Sequence, residues 1–234
     1  MILPDLRRRD LLAREQMDDP DCDLRRLERT YAQFRIVNRL VSGWRLTYRN
    51  LLRPVLRRGA PTTLLDIGSG GGDLARALAR WAAADGYDLR VTAADPDERA
   101  HSWATRAPAV PGVEYERALS ADLVAAGRSF DLVISNHLLH HLEPEDFRAV
   151  LDDSRQLARI RVVHSDIRRS SAAYLLFSAG TWPFFPGSFI RADGLTSIRR
   201  SFTTTELRAA APGWQIQRQR PWRNLVIDEA AGVG

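Results

Sequence analysis

The first sixty residues carry apolar side chains at helical spacing. Leucines and aromatic residues recur every three or four positions over residues 24–34, and a second partly apolar run follows Gly43. Gly43 predicts the break between two helices, and Pro54 with the turn at 59–61 predicts the end of the segment. We therefore interpret residues 1–60 as an N-terminal helical segment.

The pattern changes at Thr62, where short apolar runs begin to alternate with amphipathic helices. The runs predict strands in the order TLLDIG, LRVTAAD, VEYERA, FDLVISN and IRVVHSD. One intervening helix is expected to open at Pro96 and another at Glu143-Pro144, since proline favours the first turn. Strands that alternate with helices of this length predict an α/β domain over residues 61–234, with helices on both faces of a parallel sheet.

The alternation stops after the fifth strand. Residues 167–201 are aromatic and interrupted by proline and glycine, and we interpret them as a lid insertion. TTTELRAAA predicts a helix with a threonine cap and a glutamate that supports it. WQIQRQ and RNLVID predict two closing strands.

The composition is that of a folded globular protein, with 44% hydrophobic and 27% charged residues in a chain of 234. Cys22 is the single cysteine, which excludes an internal disulfide and a cysteine zinc site and fits a reducing, cytoplasmic setting. No apolar stretch has the length of a signal peptide. The longest apolar region, 174–190, is broken by glycine and proline, so no membrane span is expected.

The net charge of +5 raises the question of nucleic acid binding. The chain has no lysine, however, and its 34 arginines are scattered among 29 acidic residues. This distribution is typical of a solvated surface, and we do not expect nucleic acid as a partner.

A glycine-rich turn links the first strand to the following helix. Gly68, Gly70 and Gly72 lie where a ligand approaches the backbone at the carboxyl end of a strand. Such a turn is compatible with NAD, FAD or S-adenosylmethionine. A dinucleotide fingerprint that starts at Gly68 would have glycine at position 73, where this chain has Asp73. A carboxylate at that helix terminus opposes a pyrophosphate and suits a ligand with a cationic ammonium group.

Two further carboxylates follow the predicted strands. Asp66 ends the first strand beside the turn, and Asp95 ends the second, where it can accept hydrogen bonds from two ribose hydroxyls. The alternative is that both residues cap helices.

The stretches LLDIGSGGGDLA, VTAADPD and FDLVISNHLLHHLEPED resemble the class I S-adenosylmethionine-dependent methyltransferases. The likeness is greatest to small-molecule enzymes of the ubiquinone/menaquinone and natural-product kinds. It implies a Rossmann-like seven-stranded sheet ending in a hairpin, a helical N-terminal cap, and S-adenosylmethionine as cofactor with S-adenosylhomocysteine as product. In this family the residues after the third strand lie against adenine, here Ala118-Leu119, and an acidic residue often contacts the adenine amine, for which Asp122 is the candidate. The cofactor residues that the resemblance implies are Asp66, Gly68, Ser69, Gly70, Gly72, Asp95, Pro96, Leu119 and Asn136.

Histidines follow the fourth strand in the sequence SNHLLHHL. Methyl transfer to a neutral hydroxyl requires removal of its proton, and histidine is the common base near neutral pH. Related sugar and phenol methyltransferases carry a similar LHH pair and an acid at the end of strand five. We therefore predict His140 as the base, with His141 and Asp166 as orienting or auxiliary groups.

The alternative is that one histidine of the pair packs against the sheet. On a helical turn, the side chains of His140 and His141 would point about 100° apart. His164, inside a buried strand, is expected to be structural. No cysteine set or carboxylate cluster has metal-ligand spacing, so no metal is expected.

Aromatic residues of the lid insertion are expected to form the wall of an acceptor site for a lipophilic molecule. They are Tyr174, Phe177, Trp182, Phe184, Phe185 and Phe189. In the N-terminal segment, the residues of interest are Tyr31, Phe34, Trp44 and Arg45. A homodimer contact or a second small core is the competing explanation for the lid aromatics, and amphipathic-helix core is the one for the N-terminal residues.

The sequence thus predicts a methyltransferase that acts on the hydroxyl of a phenolic or polyketide-derived small molecule. Its rivals are carbon methylation of a quinol ring, methylation of RNA, and a cofactor-binding protein without activity.

Overall fold

The computed structural model describes residues 4–182 and 185–230, so Phe184 lies outside the described residues. Seven strands form one sheet in the order β3-β2-β1-β4-β5-β7-β6. The first five are parallel, and β7 runs antiparallel to both β5 and β6. Their bounds are β1 Thr62–Ile67, β2 Leu89–Ala94, β3 Val113–Glu116, β4 Phe130–Asn136, β5 Ala158–Ile167, β6 Gln215–Gln219 and β7 Arg223–Glu229. This confirms the predicted Rossmann-like sheet and its closing hairpin.

Nine α-helices are present in the described part of the chain. They are α1 Leu24–Val41, α2 Trp44–Thr47, α3 Asp73–Ala84, α4 Glu98–Arg106, α5 Ser120–Ala125, α6 Pro144–Leu157, α7 Ser171–Gly180, α8 Ile190–Arg200 and α9 Thr204–Ala210. Gly43 separates α1 from α2 as predicted, with a φ of +69° that favours glycine. The expected start at Pro96 was wrong, because Asp97 accepts a hydrogen bond from the Arg99 N–H and caps α4.

Both faces of the sheet are covered by helices. On one face, α3 places residues such as Leu78 against β1 and β2, together with Trp44 and Tyr48 from the N-terminal segment. On the other, α5, α6 and α9 contribute residues such as Phe147 and Leu207. The apolar residues of α3 recur at helical spacing, which explains why this segment packs as a helix on the sheet.

The N-terminal segment packs in two ways along its length. Trp44, Tyr48 and Leu52 are fully buried in the core under the sheet, whereas α1 and the turn Gln16–Asp18 lie against α8. A boundary at residue 60 therefore stays an interpretation. Residues 167–201, predicted as an irregular lid, hold the helices α7 and α8.

Parallel register brings chemically active residues to one edge. Ile67 lies opposite Ala94 and Ser135, and Asn136 lies opposite Ser165. The carboxyl ends of β1, β2, β4 and β5 therefore meet there, which is where open α/β sheets bind ligands. Within residues 4–182 and 185–230, no helix combines the length and hydropathy needed to cross a bilayer.

The cap of α9 provides a test of local stability. The Thr203 side chain accepts from the Glu206 N–H, and the Glu206 carboxylate accepts from the Thr203 N–H. We expect Thr203→Ala to lower the free energy of unfolding by about 1 kcal/mol. Urea denaturation measures it, with exposed Thr205→Ala in the same turn as control. Equal effects of the two substitutions would contradict this assignment.

Candidate active site

A cavity of about 620 Å³ lies at the carboxyl edge of the sheet. Its floor consists of the glycine turn, the end of β2 and the turn after β4. Its walls come from the N-terminal segment, α7, α8 and the β6–β7 turn. Elements distant in sequence thus enclose one space.

The glycine turn has the backbone conformation that its sequence predicts. Gly68, Gly70 and Gly72 all have positive φ, between 53° and 70°. The Gly70 N–H donates to Asp95 Oδ2 over 2.8 Å, which ties the turn to the end of β2. A Cβ on Gly70 would meet nothing within 4 Å, whereas one on Gly72 would meet the Tyr115 ring at 2.5 Å. The turn therefore opens toward the cavity at Gly70 and is closely packed at Gly72.

Three carboxylates surround this turn. Asp66 is 1% exposed, and neither of its side-chain oxygens has a hydrogen-bond partner among the described residues. Burial raises its pKa well above the usual range, and the charges of Asp73 and Asp95 raise it further. Burial also raises the pKa of Asp73, although the Asn38 amide donates to that carboxylate over 2.9 Å. A cation at this turn would relieve the excess of negative charge.

The other predicted cofactor residues lie in different surroundings. Ser69, Pro96 and Asn136 line the cavity, and Asn136 Oδ1 accepts from Arg223 Nη2 over 2.7 Å. Leu119 is 54% exposed and is not among the described residues that line the cavity. Its N–H donates to Asp122, so this carboxylate caps α5.

His140 is completely buried between two carboxylates. Its Nδ1 lies 2.7 Å from Asp166 Oδ1, and its Nε2 lies 3.2 Å from Glu15 Oε1. The His140 N–H also donates to Asp166. Burial alone lowers the pKa of His140, but Asp166 and Glu15 outweigh it and raise the pKa to about 9. The pKa of Asp166 lies below its usual range because the His140 charge and hydrogen bond outweigh burial.

His141 shares these surroundings on the accessible side. Its Nδ1 lies 3.0 Å from Asp18 Oδ2, its Nε2 lies 3.6 Å from Glu15 Oε1, and its side chain is 25% exposed. The ring centroids of His140 and His141 are 4.3 Å apart. The expectation that the two rings diverge was wrong, because residues 138–142 form a turn outside any helix.

Sequence reasoning missed the residues that complete this cluster. Glu15 accepts from Ser197 Oγ over 2.6 Å, and Asp193 accepts from the N–H groups of Gln16 and Met17. Arg200, also buried, donates to the carbonyl oxygens of His140 and His141. The polar residues of α8 at 193, 197 and 200 follow helical spacing, and this was the available signal of a polar interface.

His137 and Arg223 form a second polar pair in the cavity. His137 has a φ of +59°, unusual for a residue with a Cβ, and its Nε2 lies 2.8 Å from Arg223 Nη1. Burial lowers the pKa of His137 well below its usual range, and the Arg223 charge adds to this. Arg223 also donates to Ser165, and burial lowers its pKa to about 10.

His164 lies in the core, as the sequence indicated. It is completely buried, and its Nδ1 lies 2.8 Å from Ser135 Oγ. Burial lowers its pKa to about 3, so the ring is neutral.

Part of the predicted aromatic wall lines the cavity. Phe177 and Phe185 do so, as do Tyr31 and Phe34 from α1. Tyr174 and Trp182 are not among the described lining residues, and Trp182 is 69% exposed.

Three other aromatic or cationic residues lie outside the cavity. Phe189 and Trp44 are buried core residues. The Arg45 guanidinium lies over the Trp81 ring, 4.9 Å from its centroid. The core alternative thus describes Trp44, while Tyr31 and Phe34 belong to a small apolar cluster and also line the cavity.

The packing of α7 on α8 makes a test of the Phe177 position possible. A Cβ on Gly194 would lie 2.4 Å from the Phe177 ring. In a Phe177→Ala background, Gly194→Ala should stabilise α8 by about 1 kcal/mol through helix propensity. With Phe177 present, overpacking should make the same substitution less favourable by about 1–3 kcal/mol. Urea denaturation of the four proteins measures this difference, and an equal effect in both backgrounds would refute the contact.

Comparisons with known proteins agree with this fold. The family model described as a methyltransferase domain matches residues 64–169. No curated protein sequence matches the chain. Magnesium protoporphyrin IX methyltransferase of Synechocystis PCC 6803, solved with bound S-adenosylhomocysteine, is 17% identical, with 88% of this chain and 86% of that chain covered and a TM-score of 0.52.

Two further solved structures share the fold. Human N-acetylserotonin methyltransferase, in complex with S-adenosylmethionine, is 12% identical, with 86% of this chain and 54% of that chain covered and a TM-score of 0.60. The DszA carbon methyltransferase is 17% identical, with 92% and 59% covered and a TM-score of 0.56. The chain therefore has the Rossmann-like fold of the class I methyltransferases, and its residues 64–169 match a methyltransferase domain.

Proposed function

We propose that this enzyme transfers the methyl group of S-adenosylmethionine to a hydroxyl group of a small, largely apolar acceptor, phenolic or polyketide-derived. One observation carries the proposal: a single cavity joins the glycine turn to a cluster of histidines and carboxylates. An acceptor in that space can contact both the methyl donor and groups that take up a proton.

The glycine turn fits the cofactor. Its open side at Gly70 leaves room for a ligand against the backbone, and the unpartnered carboxylate of Asp66 suits a cationic ligand. We assign the methionine portion to the turn and the ribose to Asp95; the cofactor supplies an activated methyl group when bound. The remaining proposed contacts are Gly68, Ser69, Gly72, Pro96, Asn136 and, for adenine, Leu119.

The histidine cluster is placed to activate a hydroxyl. Asp166 orients His140 through two hydrogen bonds. His140 is completely enclosed, so the acceptor oxygen is expected at Glu15 and the accessible edge of His141. This revises the sequence prediction: Asp166 and His140 act as positioning residues, and His141 with Glu15 faces the acceptor.

The apolar walls support a lipophilic acceptor. Phe34 and Val37 of α1 face the cavity together with Leu176 and Phe177 of α7 and Phe185. Such walls favour an aromatic ring or alkyl chain, while the few polar groups set its orientation. Tyr174 and Trp182 stay predicted contacts, with a homodimer contact as the alternative for exposed Trp182.

The shared fold does not determine which atom receives the methyl group, since one similar structure is described as a carbon methyltransferase. The test is incubation of the enzyme with isotopically labelled S-adenosylmethionine and a panel of phenols, polyketide-type hydroxy compounds and quinols, followed by NMR of the product. A methoxy carbon is the expected result. A ring-bound methyl carbon would support the carbon rival, and label recovered in RNA would support the nucleic acid rival.

Substitution of His140 separates these chemistries. For hydroxyl methylation we expect His140→Ala to lower kcat about 100-fold or more, because His140 positions Glu15 and His141, the proposed acid–base groups. Unchanged S-adenosylhomocysteine affinity by calorimetry would show that the variant is folded, and His101→Asn on α4 is the matched control. Turnover close to that of the parent enzyme would contradict an acid–base requirement and favour carbon methylation.

Cofactor binding is expected to release a proton from the glycine turn. The raised pKa of Asp66 means that this carboxyl holds a proton to higher pH than usual, and a cationic ligand lowers that pKa. Affinity should therefore fall as the pH falls through the raised pKa. Calorimetry in two buffers of different ionisation enthalpy measures the proton released.

Asp66→Asn keeps the shape of the side chain and removes its charge. We expect it to abolish the proton release and to weaken binding about ten-fold or more, equivalent to about 1.4 kcal/mol. Asp122→Asn, at the cap of α5, should retain the release. Release that persists in Asp66→Asn would show that another group is responsible.

A further inference from the structure

Two adjacent histidines direct the same ring atom at one carboxylate oxygen. Nε2 of His140 lies 3.2 Å and Nε2 of His141 lies 3.6 Å from Oε1 of Glu15. The three residues present their donor atoms within 4.8 Å of one another. Glu15 precedes His140 by 125 positions, so no short sequence motif contains all three residues.

The other ring nitrogens are also engaged. Nδ1 of His140 faces Asp166 at 2.7 Å, and Nδ1 of His141 faces Asp18 at 3.0 Å. A carboxylate accepts hydrogen bonds, so each Nδ1 is expected to carry a hydrogen, and a ring without a second proton has its lone pair on Nε2. If both rings are neutral, both lone pairs face an oxygen that also only accepts.

A positive charge between these atoms resolves the conflict. Protons on both Nε2 atoms would supply it, but they would place two imidazolium rings with centroids 4.3 Å apart in a largely buried site. A proton on His140 alone would leave the His141 lone pair directed at Glu15. One divalent ion satisfies all three donors at once.

We propose that Glu15, His140 and His141 bind a divalent transition-metal ion, with Asp166 and Asp18 orienting the two imidazoles. Histidine ligands commonly donate their second nitrogen to a carboxylate, and here both do so. The donor separations of 3.2 and 3.6 Å suit ligands about 2.0–2.2 Å from a common ion. Two imidazoles and one carboxylate favour Zn²⁺ or a neighbouring first-row ion over Mg²⁺ or Ca²⁺.

The surrounding charges are compatible with a cation. Glu15, Asp18 and Asp166 supply three carboxylates around the donor set. The guanidinium groups of Arg200 and Arg9 donate to main-chain oxygens of His140 and His141.

The location of the ion gives it a role, and this part rests on the proposed function. All three ligands line the cavity that holds the acceptor, and three protein ligands leave further coordination positions open. A hydroxyl oxygen bound there would be positioned by the ion and would lose its proton at lower pH. The acceptor class that this favours has an oxygen able to coordinate a metal, such as a phenol with an adjacent oxygen.

The test is zinc binding by the full chain after treatment with EDTA, with zinc chloride as the titrant in calorimetry. We expect one zinc per chain. Glu15→Gln and His141→Asn should each weaken binding by more than about 100-fold, because loss of even an outer-sphere partner costs about 10–100-fold. His101→Asn removes a histidine outside the cluster and should bind zinc like the parent. S-adenosylhomocysteine affinity, measured for each variant, verifies that it is folded.

Cobalt substitution provides a second readout. Co²⁺ in the parent should give visible absorption bands typical of nitrogen and oxygen ligands, and Glu15→Gln should lose them. Failure of the parent to bind zinc stoichiometrically, or equal zinc affinity in Glu15→Gln, His141→Asn and His101→Asn, would overturn the inference.

The two proposals fail separately. If zinc binds at the cluster and the product carries the methyl group on carbon, the proposal of hydroxyl methylation is wrong and the metal site stands. If the protein binds no zinc and forms a methoxy product, the metal site is wrong and hydroxyl methylation stands.

Discussion

The site depends on how the turn after β4 satisfies its backbone. Residues 138–142 form no helix, so their carbonyl oxygens lack helical partners and need other donors. Buried Arg200 donates to the carbonyls of His140 and His141, and Arg9 donates to the carbonyl of Arg200. Because Arg200 also contacts the carbonyl of Ala13, one guanidinium joins the turn, α8 and the N-terminal segment. The position of Glu15 beside the histidines follows from this connection.

Two charged regions share the cavity and have different chemistry. The glycine turn gathers three carboxylates with the Arg76 guanidinium nearby, and Asp66 is left without a hydrogen-bond partner among the described residues. The histidine cluster pairs its carboxylates with imidazoles and is enclosed by α8. The apolar side chains of α1 and α7 form the cavity walls around both regions. One region therefore suits a cationic donor, and the other suits the reacting oxygen of an acceptor.

Local patterns predicted most of the fold. The first five strands, the break at Gly43 and the cap at Thr203 were predicted from residues close in sequence, and the structure agrees with them. The seven-stranded sheet with its closing hairpin was expected from the family resemblance. The prediction was less successful where partners come from distant elements. The family resemblance predicted that Leu119 lies beside adenine. In the structure the Leu119 N–H donates to the carboxylate of Asp122, which caps α5.

The histidine cluster also contains residues that are distant in sequence, which local patterns cannot bring together. The sequence identified His140, His141 and Asp166 through the resemblance to methyltransferases with an LHH pair after strand four and an acid at the end of strand five. It could not identify Glu15, because the segment that carries it is held at the cluster by Asp193, Ser197 and Arg200 of α8, which are distant in sequence. Arg223 was equally hidden, since a buried arginine in a closing strand has no periodic signature.

The position of Glu15 has a consequence for biosynthesis. This residue leaves the ribosome early, yet the α8 residues that hold its segment are synthesised almost two hundred residues later. The glycine turn also depends on later residues, because β4 pairs with β1 and Leu138 lies against Gly68. Both sides of the cavity therefore wait for distant parts of the chain, and the acceptor side waits longer because α8 follows β4 in the sequence.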